Sequence, residues 1–223
     1  MDFEAAERLA LVEVFGIELQ GCFFHFRQAI LRRIRNHHCP LHRFITSVEN
    51  LGNWNILLLF VALAFLKDED IGRGYQLIVQ IPLIQENLDI FQGFLDYFES
   101  TWVGSMGAGH RRQPRVQTQW SVYLVTKNRT PKTISAVEGW HRQFRRTLNV
   151  ERPYTYRFLM ALRIQQTLTD TLIDQGGQAQ DPYRRNHTLM RLNAIRGEVR
   201  RGYNLGSILQ YLIAVSAILN SVD

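Results

Sequence analysis

The chain has 223 residues, 46% of them hydrophobic, and carries 26 lysines and arginines against 20 acids, a formal net charge of +6. That is material for one large domain or two small ones with an ample apolar core, and its two cysteines, Cys22 and Cys39, exclude a disulfide scaffold and suit a reducing compartment. The longest apolar run, Ile56 to Leu66, falls well short of the ~20 residues of a membrane span, and the first fifteen residues lack the basic-then-apolar order of a signal peptide.

From Phe3 to Phe15 the positions Leu9, Leu11, Val12 and Phe15 predict an amphipathic helix, with Asp2 as its cap and Gly16 as its end. Ile17 to Phe24 reads as a strand, the principal one of the chain. A basic helix follows from His25 to about Asn36, with Ala29, Ile30 and Ile34 on one face and Arg27, Arg32, Arg33 and Arg35 largely outside; Pro40 stops it. Leu41 to Ser100 is an all-α block, with helices over Trp54–Leu66, Glu69–Ile81 and Leu83–Thr101. Gly104 to Pro114 holds three glycines and Arg111-Arg112 and reads as a loop. Trp120 to Val125 is a short extended or helical piece. Helices are then predicted over Ser135–Leu148 and Tyr154–Ile173, a polar linker over Gln175–Asp181, and helices over Tyr183–Arg201 and Leu205–Asn220. A lone buried strand needs partners for its N–H and C=O groups, and none is evident nearby. A piece of sheet is therefore expected to be missing.

The charge is unevenly spread. Residues 102–163 hold twelve lysines and arginines against Glu138 and Glu151 alone, a block suited to the phosphate backbone of a nucleic acid and equally to a solvated basic surface. Arg142, Arg145 and Arg146 follow Glu138 closely, with Arg142 and Arg146 four apart on one helix face. Together with Arg111, Arg112 and Arg115 they are the candidate phosphate contacts. Cys22 and His25 have the spacing of half a zinc site, which His110 or His141 would complete; ordinary packing is the competing reading. On an alternating strand the two side chains point to different faces unless a helix starts between them. His37, His38, Cys39 and His42 form a second such cluster, equally readable as a polar helix end. Trp140 reads as a core anchor.

Several short motifs recur in a fixed order. Asp2-Phe3-Glu4-Ala5-Ala6 opens the chain, and Gly21-Cys22-Phe23-Phe24-His25-Phe26 follows with Gln28-Ala29. Ala62-Leu63-Ala64-Phe65-Leu66, the tract from Asp96 to Gly104, and Trp120-Ser121-Val122-Tyr123 come next. The box Val137-Glu138-Gly139-Trp140-His141 comes last. In order and spacing this resembles the transposases of Mutator-like elements (MULEs) over nearly the whole chain. The family usually carries Arg-Thr-Asn-Asn before its last acid, whereas this chain has Lys132-Thr133-Ile134-Ser135. Ser135 and Glu138 also have the spacing of a helix capping box, a purely structural alternative.

The resemblance implies a DNA enzyme with an RNase H-like core. Such a core performs phosphoryl transfer on two Mg²⁺ ions about 4 Å apart, held by three carboxylates. Asp2 would be the second of these acids and Glu138 the last, both as metal ligands, with the first upstream of Met1. The expected fold is mostly α: a remnant of the RNase H-like core over residues 1–40, then a helical insertion domain with its basic loop over 41–130. Helices bearing the last acid occupy 131–174, and a helical tail occupies 175–223. The expected function is that of a truncated, transposase-derived DNA-binding protein of the nucleus, or of the cytoplasm if DNA binding is lost. It would be catalytically incompetent alone and dependent on another chain for the missing core. The alternative is a non-enzymatic helical module that binds nucleic acid or protein.

Overall fold

A computed structural model describes residues 5–16, 19–35, 40–47, 54–107, 110–116, 119–129, 135–174 and 186–221. Within these, the side chains of residues 5–8, 54, 105–107, 110–112, 135–138 and 186–189 are not described. The chain is mostly helical and divides into two compact units, residues 1–133 with 190–223 and residues 134–189.

The first unit is built around α4, Trp54–Ala62, and the 3-10 turn Leu63–Phe65 that continues it. Every side chain from Ile56 to Leu66 is buried, because the run is apolar all round and therefore needs neighbours on every side. Those neighbours are α2 (Phe23–Ile34), α5 (Asp68–Val79), α7 (Leu88–Phe98) and α12 (Ile208–Asn220), each contributing an apolar stripe. Phe26 and Ile30 from the 1–40 segment, and Leu212 and Val215 from the 175–223 segment, lie in the same core as Leu57 and Phe94. At about 1.5–3 kcal/mol per fully buried large apolar side chain, this cluster is the main stabilising term of the unit.

A helix that ends inside a core leaves carbonyls without partners, and each must find a donor. Two segments far apart in the chain supply them here. The N–H of Val122 donates to the Ala64 carbonyl at 2.6 Å, the hydroxyl of Tyr211 to Phe65 at 2.8 Å, and the hydroxyl of Ser121 to Leu66 at 2.6 Å. α5 then opens with Asp68, Glu69 and Asp70, acids favoured at a helix N-terminus by the macrodipole. The remaining helices of this unit are α1 (Ala5–Phe15), α3 (Pro40–Thr46), α6 (Pro82–Gln85) and α8 (Tyr123–Lys127), with α11 (Asn186–Arg201) from Met190 onward. Pro40 begins α3, at the helix position that loses nothing by lacking an N–H.

The expected strand over Ile17–Phe24 is corrected by the structure. Phe23 and Phe24 are the first residues of α2, and Ile17 and Glu18 lie outside the described residues. Among the described residues of this segment, extended pairing is confined to one parallel bridge between Gln20 and Gln119. The partner that seemed absent is a hundred residues away. The Gly21 N–H donates to the Gln119 carbonyl at 2.7 Å, and the Gln20 side-chain amide donates to the carbonyls of Gln119 and Ser121. The expected loop over Gly104–Pro114 is likewise corrected in its described residues, which pair as short strands. α7 runs into a π-turn, Glu99–Val103, which Gly104 closes at φ +82. The chain then forms an antiparallel hairpin of β1 (Ser105–Gly107) and β2 (His110–Arg112), with Met106 opposite Arg111. The amides of Arg115 and Val116 return to the Ser100 and Thr101 carbonyls that the π-turn leaves open.

The second unit contains α9 (Ser135–Leu148) and α10 (Thr155–Asp174). Its small core holds Phe144, Leu148 and Ala161, with Leu162 against it. α9 ends where Asn149 turns left-handed at φ 52, a conformation that asparagine tolerates better than most residues. Phe144 meets Phe158 edge-on at 5.7 Å, and the buried Gln165 amide donates to the Thr147 hydroxyl at 3.3 Å.

Candidate nucleic-acid interface

The sequence-predicted phosphate contacts divide between the two units. Arg142, Arg145 and Arg146 are exposed on α9, whose Phe144 and Leu148 are buried. The helix is strongly amphipathic: Phe144 and Leu148 share one side, Arg142 and Arg146 the other, and Arg145 flanks the apolar side. Among the described residues no acidic side chain is paired with any of the three. Arg145 and Arg146 stand in the last turn, where the macrodipole favours cations, so part of their placement serves the helix itself. In the first unit Arg115 is exposed just after β2, the strand that carries Arg111 and Arg112. The side chains of Arg111 and Arg112 are outside the described residues.

The turn after α9 adds a feature that sequence spacing did not single out. An open cleft of about 870 Å³ is lined by Phe144, Arg145, Arg146, Val150, Pro153 and Phe158, with Leu148, Asn149 and Glu151. Two guanidinium groups beside aromatic and aliphatic walls suit a phosphate and the flat face of a sugar or base. Glu151 is the single acid of this lining and tempers its charge. The only sequence signal for the cleft was the Asn149-to-Pro153 break between two helices, which marks a turn but not its shape.

Trp140 differs from its expected place in the core. It is 38% exposed and stacks on Phe144 at 5.1 Å and 5° between planes, so one edge faces water while the ring extends the apolar side of α9.

Of the carboxylates assigned to a metal site, Asp2 lies outside the described residues. Glu138 is placed by its backbone alone, one turn before Arg142. Cys22 is 2% exposed and stands at the N-cap of α2, so the helix does start between it and His25. Among the described residues no group of three or more His, Cys, Asp and Glu is arranged to hold a metal ion. His42 is in α3, and His37, His38 and Cys39 lie outside the described residues.

The other motifs meet in one place, and their role there is packing. Phe26 stacks on Trp120 at 4.6 Å and meets Trp102 edge-on at 4.8 Å. Phe23 meets Phe65 at 5.0 Å, and the Trp120 indole N–H donates to the Trp102 carbonyl at 2.9 Å. Residues from four separate motifs thus form a single aromatic knot.

No protein-family model, curated protein or solved structure matches the chain. Among the described residues no helix is long and apolar enough to cross a membrane.

Proposed function

We propose that the chain is a DNA-binding protein of the Mutator-like transposase type, gripping duplex phosphates without reading base sequence. The observation that carries this is the exposed set Arg142, Arg145 and Arg146, without acidic partners among the described residues and beside an open cleft. Guanidinium groups not committed to internal pairs are available for bidentate contacts with phosphate oxygens. Arg111, Arg112 and Arg115 supply a second set of contacts in the other unit. The family part of the reading is supported by the order of the motifs. A nuclear site of action follows from DNA as the ligand. The Mg²⁺ of the family chemistry would call on Asp2 and Glu138, so the reading comprises binding and no catalytic step.

Titration of purified protein against two unrelated duplexes at two salt concentrations tests it. Binding is expected to be similar for both, with log K falling by about 0.9 for each phosphate neutralised as log[salt] rises. The triple change of Arg142, Arg145 and Arg146 to Ala is expected to weaken both complexes alike and to flatten that slope. Absence of binding at low salt, or binding indifferent to salt, would overturn the reading.

A further inference from the structure

The cleft at the end of α9 is lined entirely from the second unit and carries two kinds of surface at once. Arg145 and Arg146 are exposed and, among the described residues, have no acidic partner. Phe144 and Leu148 also line it, and both belong to the unit's small core, so its apolar wall is continuous with the interior. Phe158 and Val150 extend that wall while remaining 40 and 43% exposed.

Phe158 is not committed to stacking within the chain. Among the described residues its one ring contact is edge-on, with Phe144 at 5.7 Å and 84° between planes. Whichever ring supplies the edge, at least one face of Phe158 is left unused by that pair. A blunt duplex has nothing to lay on such a face. Its phosphates can meet the arginines, but its bases are stacked on one another and closed to a side chain. An unpaired nucleotide offers both groups together, a phosphate for the guanidinium groups and a flat base for the ring. The cleft, at about 870 Å³, has the room of a small-ligand site.

We propose that this cleft binds an unpaired nucleotide, so that the chain favours DNA with a single-stranded segment over blunt duplex. The base stacks on Phe158 against the wall of Phe144, Leu148 and Val150, while Arg145 and Arg146 hold the adjoining phosphate. Glu151 then has a use in the lining. A carboxylate weakens a pure phosphate clamp, whereas it accepts a hydrogen bond from the amino group of an unpaired base. The inference rests on the reading of these arginines as DNA contacts and adds the class of nucleotide to it.

Fluorescence anisotropy of the 223-residue chain tests it, with a blunt duplex and a tailed duplex matched in phosphate number. The tailed duplex is expected to bind at least ~5-fold more tightly, the size of one base–aromatic stack. Phe158→Leu, which keeps the apolar bulk and loses the ring, is expected to erase that advantage and leave blunt-duplex affinity unchanged. Phe158→Tyr, which keeps the ring, is expected to preserve it. Equal affinity for the two probes, or an advantage that survives Phe158→Leu, would overturn the inference and leave duplex binding standing. Binding of the tailed probe alone would overturn the duplex reading and sustain the cleft; binding of neither would overturn both. Displacement of the tailed probe by polyglutamate as readily as by a free single strand would overturn the inference in favour of an acidic protein partner.

Discussion

Gly74 lies on the side of α5 that faces the end of α4. A Cβ there would stand 2.5 Å from one methyl of Leu66 and 2.9 Å from one of Leu63, both buried. Gly93, on the exposed side of α7, has nothing within 4 Å. The two glycines should therefore respond oppositely to the same change. Gly74→Ala is expected to lower stability, since overpacking costs about 1–3 kcal/mol against a helix-propensity gain of up to about 1 kcal/mol. Gly93→Ala should raise it by about 0.5–1 kcal/mol. Urea midpoints of the two variants check this, and a stabilised Gly74→Ala would contradict the close approach.

Three phenols make the first unit sensitive to alkali. Burial holds the hydroxyls of Tyr75, Tyr203 and Tyr211 protonated well above the usual tyrosine range. Glu99 and Asp96 add to the effect at Tyr75, and Tyr203 and Tyr123 add to it at Tyr211. At Tyr203 the Lys67 N–H bond opposes it, and Asp70, whose carboxylate accepts a hydrogen bond from the hydroxyl at 2.7 Å, adds to it. Below about pH 10 folded and unfolded phenols alike keep their protons, and the stability is fully present. Above it the unfolded chain releases protons that the folded chain retains, so stability falls as pH rises. Denaturation followed from pH 8 upward should show this decline, and Tyr75→Phe should make it shallower; a stability flat through that window would remove these tyrosines from the account.

At the scale of elements, α2 is held by rings rather than by a sheet. Phe26 is fully buried between Trp102 and Trp120. Phe26→Ala is expected to cost about 3–5 kcal/mol, which chemical denaturation with tryptophan fluorescence would read directly. A loss under 1 kcal/mol would mean that the aromatic knot is not what fixes α2. The sequence placed several helices closely. α9 has the predicted bounds Ser135–Leu148, and α10 begins and ends one residue from its expected limits. Both rest on patterns and breakers local to the chain. The Cys22-Phe23-Phe24 cluster misled because a short apolar run carries no period that separates strand from buried helix. The hairpin of Ser105–Gly107 with His110–Arg112 was illegible for a related reason. Its strands are three residues each, too short to show alternation.

For the whole molecule, the DNA binding proposed above is expected to weaken as salt rises, and Mg²⁺- or Mn²⁺-dependent cleavage that vanished in Glu138→Gln would extend the proposal from binding to catalysis. By itself the sequence determined the mostly helical class, the eleven-residue apolar run that had to be buried, and the basic block around Glu138, because composition, periodicity and charge are properties of neighbouring residues. Only the tertiary structure decided that Gln20 would find Gln119, that Val122, Ser121 and Tyr211 would satisfy the end of α4, and that Trp140 would keep an edge in water. Each of these depends on which distant donor or ring arrives at a given place. A hydrogen bond across a hundred residues leaves no period in the chain, yet a buried carbonyl cannot do without it.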